Sequence, residues 1–249
     1  MALFVHKYGG TSMGSPERIR NVAKRVAKWA RAGHQVVVVP SAMSGETNRL
    51  LGLAKELAPE RAMQSYHREL DMLAATGEQA SSALLAIALQ SEGMEAVSYA
   101  GWQVPIRTDS SYTKARIESI DDQRVRADLN AGKVVIVTGF QGIDGEGNIT
   151  TLGRNGSDFS GAIFAALFNA DELHIWTDVD GVLSRCTERK GTVVPMKKKN
   201  NRMKKWMQTV AACLAAGMVD HLAKPIDPEE MVRVILRHTT GRLPAGLPG

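Results

Sequence analysis

Short unbroken apolar runs alternate along the chain with longer segments in which apolar residues return every three or four positions. The runs predict strands buried on both faces, and the longer segments predict helices with one apolar face. Residues 3–7 make the first strand, which ends in a glycine turn. Ser15 is a good N-cap with Pro16 at the first helical position, and Ile19, Val22, Ala23, Val26 and Ala30 then recur until Gly33. Four consecutive valines mark a strand over 35–40. Helical patterns run over 47–57, 60–75 and 77–89, the last stopping before Gly93. Strands are expected at 96–99, 133–138 and 173–177, and helices at 122–130 and 157–168. Residues 102–120 suit a hairpin excursion, and 139–153 a turn-rich loop. Alternation of strands and helices makes the class α/β with a largely parallel central sheet. Ligands of such sheets sit at the carboxyl ends of the strands, where the polar glycine loops of this chain fall.

With 249 residues, 44% of them hydrophobic and 23% charged, the chain can bury a substantial core. No apolar run approaches the roughly 20 residues that span a bilayer. The N-terminal MALFVHKYGG has no charged region followed by a long apolar stretch, so a cytoplasmic protein is expected, with no membrane partner. Cys186 and Cys213 are the only cysteines and lack metal-ligand spacing. The net charge of +5 raises the question of a nucleic-acid partner. Residues 185–205, however, carry nine basic side chains against one acid, or +8, which leaves −3 for the rest of the chain. One local basic run without aromatic platforms reads as a solvated stretch, and no nucleic-acid partner is expected.

Three glycine-containing loops carry candidate chemistry. In KYGGTS, Lys7 ends a strand and Gly9 and Gly10 let backbone amides approach a phosphate, with the ammonium as a point charge. The spacing is not that of a P-loop, and a plain tight turn is the alternative. In GRNGSD, Gly153 and Gly156 permit a tight loop, Ser157 or Asp158 is placed to cap the next helix, and Arg154 offers a fork suited to a carboxylate. A capping aspartate beside a solvated arginine would look the same. TDVDG ends a buried strand with Asp178 and Asp180, where a simple turn is again the alternative. Glu78, inside TGEQ, is expected to begin a helix in apolar surroundings. Either an ammonium partner or the helix N-terminus would account for it. Taken together, the loops suit phosphoryl transfer to a small acid.

The stretches KYGGTS, SAMSGETNRLL, TGEQ, GWQVPI followed by TD, KARIESID, GFQGID, GNITTLGRNGSD and WTDVDGV run through residues 2–183. In this order and at this spacing they resemble the catalytic domain of aspartate kinases, within the amino-acid kinase family. The resemblance implies a three-layer αβα sandwich with a mostly parallel central sheet. It implies ATP-dependent phosphorylation of the side-chain carboxylate of L-aspartate. By the same resemblance, Lys7, Gly9, Gly10 and Ser12 would hold the transferring phosphates, and Ser41 and Ala42 would line that crevice. Thr47 and Glu78 would hold the aspartate ammonium end and Arg154 its α-carboxylate. Asp158 would orient the catalytic Lys7, and Thr177, Asp178 and Asp180 would border the nucleotide. No protein metal ligand is implied, since Mg²⁺ would come with ATP, bound chiefly through phosphates and water.

After Val182 the family pattern stops. Its D-P-R segment, its G-x-K-V-L-H stretch and its ACT-type regulatory domains, which supply the usual dimer contacts, do not follow; a homo-oligomer stays open. The expected division is a catalytic domain over 1–183, incomplete at its nucleotide side, a basic junction over 184–209 and a tail over 210–249. The tail, CLAAGM-x-DHLAKPI followed by DPEEM, resembles the end of a response-regulator receiver domain. A natural fusion, a shifted reading frame or a designed chimera would each give such a junction. Two other functions follow from it: a remnant that binds nucleotide or aspartate without turnover, and a receiver-like signalling protein. Pro40 is a milder departure, removing one N–H where the family carries a β-branched residue.

Overall fold

The computed structural model describes residues 1–58, 66–153, 156–176 and 196–197; for 156–159 and 196–197 only the path of the chain is described. The expected junction and receiver-like tail therefore lie outside the described residues, apart from Met196 and Lys197.

Strand β1 (Leu3–Tyr8) pairs in parallel with β2 (Gln35–Pro40), from Leu3 against Gln35 to Tyr8 against Pro40. Helix α1 (Pro16–Arg31) connects them. The Ser15 side chain accepts from the Arg18 amide at 3.2 Å, and Gly33, at φ +83°, supplies the left-handed turn into β2. Pro40 is tolerated because the pairing of β2 with β6 (Val134–Val137) reaches only Val38, so no neighbour on that side asks for its missing N–H.

The main sheet adds β3 (Ala96–Tyr99) beyond β6, and β9 (Glu172–Trp176) on the other side of β1. With β10 (Met196–Lys197) antiparallel on β9, the order is β10-β9-β1-β2-β6-β3. Every other pairing is parallel. This is the α/β architecture expected from the alternating pattern.

Two apolar layers sandwich the sheet because successive strand residues face opposite ways. On one side Tyr8, Val36, Val38, Val134 and Ile136 pack against α1 and the C-terminal half of α3 (His67–Ser91). On the other, Val5, Val37, Val39, Val135 and Val137 pack against α4 (Gln123–Asn130) and α5 (Gly156–Leu167). Burying a valine or leucine side chain contributes roughly 1.5–3 kcal/mol, so these layers dominate the stability.

The structure corrects three expectations. The patterns at 60–75 and 77–89 meet in one helix, α3, which begins at His67 and runs unbroken through Thr76 and Gly77; 60–65 lie outside the described residues. An 18-residue window of α3 has mean hydropathy 1.3, enough by length and composition to cross a bilayer, contrary to the expectation of no such run. Here it is a packed helix with Asp71 and Glu78 buried against the molecule. The turn-rich loop at 139–153 holds β7 (Gln141–Ile143) and β8 (Ile149–Thr151). These join the expected hairpin, β4 (Ile106–Thr108) with β5 (Ile117–Ile120), in a second sheet ordered β5-β4-β7-β8. Asp71 ties α3 to this sheet. Its Oδ2 accepts from the amides of Thr113 and Thr151 at 2.8 and 2.7 Å, and its Oδ1 from the Thr151 hydroxyl at 2.7 Å.

Candidate active site

The carboxyl ends of β9, β1 and β2 lie side by side, with β1 in the middle and its two neighbours leading in opposite directions across the sheet. A crevice opens at such a switch point. The alternation of β1 sends Phe4, His6 and Tyr8 under α1, and Val5 and Lys7 to the α5 side. Lys7 is 4% exposed. Glycine governs its course. A Cβ on Gly161 of α5 would lie 3.2 and 3.3 Å from Lys7 Cβ and Cγ, and a Cβ on Gly9 would lie 3.8 Å from Lys7 Nζ. The ammonium thus sits over the start of the glycine loop, as KYGGTS suggested.

The loop folds on itself. The Gly9 amide donates to the Trp176 carbonyl at 3.0 Å, and those of Ser12, Met13 and Gly14 donate to Gly9, Gly10 and Thr11 carbonyls. This leaves the amides of Gly10 and Thr11 outside the internal set, as a backbone anion cradle requires. Ser12 stands half-buried in the turn.

Next to it the chain leaves β2. The Ser41 amide donates to the Tyr8 carbonyl at 2.9 Å, and the Ala42 carbonyl would be 3.1 Å from a Cβ on Gly10. Ser41 and Ala42 thereby line the crevice against the glycine loop. Helix α2 (Glu46–Leu57) starts just beyond, with Thr47 half-buried in its first turn. Glu46 is held by Arg49 at 2.7 and 2.9 Å.

Glu78 lies across Ala42 from the loop. It is 5% exposed, and burial pushes its carboxyl up to about 7, opposed by hydrogen bonds from the amides of Ala42 and of Glu78 itself and by the charge of Lys7. Its Oε2 has no hydrogen-bond partner among the described residues. The expected helix-start explanation of Glu78 fails: it stands in the middle of α3, eleven residues after His67 and far from either end of that helix. The ammonium explanation survives, since Lys7 is the cation that acts on it.

Of the remaining expected residues, Arg154, Thr177, Asp178 and Asp180 lie outside the described residues, and for Asp158 only its place on α5 is described. That helix begins at Gly156, so Ser157 and Asp158 occupy its first turn and neither is its N-cap, another correction. Among the described residues no group of three or more His, Cys, Asp or Glu side chains could hold a metal ion.

Several contributors were not singled out from the sequence. Ser81 Oγ donates to the Ser41 carbonyl at 2.8 Å, and Gly77 lets α3 approach Ala42. Trp176 anchors Gly9 through its carbonyl while its ring stacks on Tyr8 at 6.0 Å and lies under the Arg25 guanidinium at 4.1 Å. Under the same strands His6 and His174 stack at 4.9 Å, and burial drives the His6 imidazole down to about 3. A glycine inside a helical pattern was the signal available for Gly77 and Gly161.

Residues 2–195 match the amino acid kinase family, past the boundary expected at 183. The aspartate kinase of Pseudomonas fluorescens is 60% identical over 182 residues, 73% of this chain and 44% of that protein. The crystal structure of aspartate kinase from Synechocystis superimposes with a TM-score of 0.62 at 44% identity, over 74% of this chain and 29% of that one. Aspartokinase III of E. coli, in complex with aspartate and ADP, gives 0.63 at 26% identity, over 72% and 50%. The chain thus spans less than half the length of the curated relative.

Proposed function

Because the chain belongs to the amino acid kinase family, we propose that it transfers the γ-phosphoryl group of ATP to the side-chain carboxylate of L-aspartate, giving aspartyl phosphate and ADP. One observation carries this reading: a buried cation, Lys7, acts on a buried carboxyl group, Glu78, which also accepts from the Ala42 amide beside the strand ends. The cation suits phosphates and the carboxylate suits an ammonium. The 60% identity to an aspartate kinase and the likeness to an aspartokinase in complex with aspartate and ADP support the same substrates.

A carboxylate nucleophile of pKa about 4 is already ionised at neutral pH, so the reaction needs no general base. The task left to the protein is to align two anions and to offset charge on the transferring group. Lys7 and the Gly10 and Thr11 amides of the glycine loop would face the phosphates, with Ser12 at the turn. Glu78, helped by Thr47, would take the aspartate ammonium, and the bound ammonium would favour its ionised form. Arg154 would hold the α-carboxylate, Asp158 would orient Lys7, and Thr177, Asp178 and Asp180 would border the nucleotide. Ser41 and Ala42 would separate the two substrates. Mg²⁺ would arrive with ATP and neutralise phosphate charge through phosphate oxygens and water. The reaction is proposed for a cytoplasmic enzyme.

The test is substrate selectivity. ADP formation should follow L-aspartate, fall at least a hundredfold with N-acetyl-L-aspartate, whose ammonium is lost, and fall similarly in Glu78→Gln. Equal rates with both acids would overturn the assignment of Glu78.

A further inference from the structure

We propose that Gly77 is a positioning residue, whose absent side chain lets α3 close onto Ala42 and so presents the Glu78 carboxylate to the Ala42 amide and the amino-acid side of the crevice. The inference rests on the reading above for its substrate. Glycine inside a helix is disfavoured relative to alanine, so its presence at mid-helix asks for a reason. Backbone conformation supplies none, because Gly77 lies within regular helix and is not among the described glycines with positive φ. Space supplies one. A Cβ at this position would lie 2.9 Å from Ala42 Cβ, with Glu46 Cγ at 3.8 Å and Leu50 Cδ1 at 3.9 Å. Ala42 Cβ is fixed to the backbone and has no rotamer by which to withdraw. Ordinary carbon contacts lie near 3.5–4.0 Å, so helix and loop would have to part by roughly 0.5–1 Å.

That parting acts on every link between α3 and the 41–42 segment. The Ala42 amide would leave Glu78, and the Ser81 hydroxyl, 2.8 Å from the Ser41 carbonyl, would be drawn away. On its far side the 41–42 segment is held to β1, because the Ser41 amide donates to the Tyr8 carbonyl at 2.9 Å. Displacement therefore falls on the Glu78 side.

The experiment compares wild type, Gly77→Ala, the double variant Gly77→Ala/Ala42→Gly, and the control Gly52→Ala, whose added Cβ on α2 meets nothing within 4 Å. Two readouts are taken on the full chain: KM for aspartate and for ATP, and the Glu78 side-chain carboxyl titration followed by ¹³C NMR without substrates. Gly77→Ala should raise KM for aspartate tenfold or more, with a smaller change for ATP, and move the Glu78 titration away from pH 7. Removing the opposing methyl in the double variant should recover most of both effects, and Gly52→Ala should change neither. An unmoved titration in Gly77→Ala, or no recovery in the double variant, overturns the inference. If wild type lacks aspartate-dependent turnover, the substrate reading fails, while the titration and its recovery still decide the role of Gly77. Should Gly77→Ala not fold, folding of the double variant with a Glu78 titration near pH 7 supports the contact, and failure of both overturns it.

Discussion

Replacing Asp71 by alanine should be among the most damaging single changes outside the crevice, and the same position should tolerate asparagine. Asp71 is 1% exposed and accepts three hydrogen bonds, from the amides of Thr113 and Thr151 and from the Thr151 hydroxyl. Alanine strands all three donors. The Thr151 groups are buried, so each loses close to the full desolvation penalty, whereas the half-buried Thr113 amide can recover part of it from water. About 1.5 kcal/mol for each Thr151 group and about 1 for the Thr113 amide gives a loss of roughly 4 kcal/mol. Thr113 adds to the count: it holds φ 67°, an unfavourable conformation for a β-branched residue, and its amide bond to Asp71 is part of what keeps it there. For a chain of this size, 4 kcal/mol corresponds to about 10 °C in Tm. Asparagine can keep its oxygen on the two amides and turn its NH₂ to the Thr151 hydroxyl oxygen. It also removes the burial of a charge, which is the main cause raising the Asp71 pKa. Its cost should stay below about 1 kcal/mol. Urea unfolding of the three proteins at pH 7 measures both values. A loss under 1 kcal/mol for Asp71→Ala, or equal losses for the two variants, would refute the count of stranded donors.

The pH dependence of stability should show two opposing groups. Glu78, near 7 folded and 4.5 unfolded, binds more protons in the folded state between these values, so its contribution falls as pH rises from 4.5 to 7. His6, near 3 folded and 6.5 unfolded, binds more protons unfolded, so its contribution falls as pH drops below 6.5. The two should largely cancel between 4.5 and 6.5. Glu78→Gln should expose a decline of about 1.4 kcal/mol per pH unit on acidification from 6.5; parallel stability curves for wild type and variant from pH 5 to 7 would contradict this. Gly161→Ala should press on the Lys7 side chain, 3.2 Å away, and lower ATP-dependent turnover at least tenfold while Tm holds or rises. Turnover equal to wild type would show that Lys7 does not depend on this packing.

The parts of the fold written in long patterns were legible. Helix α1 came with its Ser15 cap and β2 with four valines, and both lie where the pattern put them. Strands β7 and β8 were not legible, because three residues each, QGI and ITT, are too few to express a period. Their pairing depends on Asp144, which closes the turn by accepting from the Glu146 and Asn148 amides. Helix α3 was split at Gly77 since an isolated glycine reads as punctuation, whereas its reason lies across space at Ala42. For the same cause Glu78 was put at a helix start. Lys7, Gly9, Gly10, Ser41, Ala42 and Glu78 could be gathered from their motifs, and the described structure brings them to the same strand ends. The burial that raises Glu78, and the glycines that shape its surroundings, are properties of packing between distant segments.

The most direct test of the central claim is chemical trapping. The full 249-residue chain, incubated with ATP, Mg²⁺, L-aspartate and hydroxylamine, should form aspartyl hydroxamate in step with ADP, because hydroxylamine captures the acyl phosphate. Lys7→Ala should abolish both products. ADP that forms without hydroxamate, or wild-type hydroxamate no greater than that of Lys7→Ala, would contradict phosphoryl transfer to aspartate at this crevice.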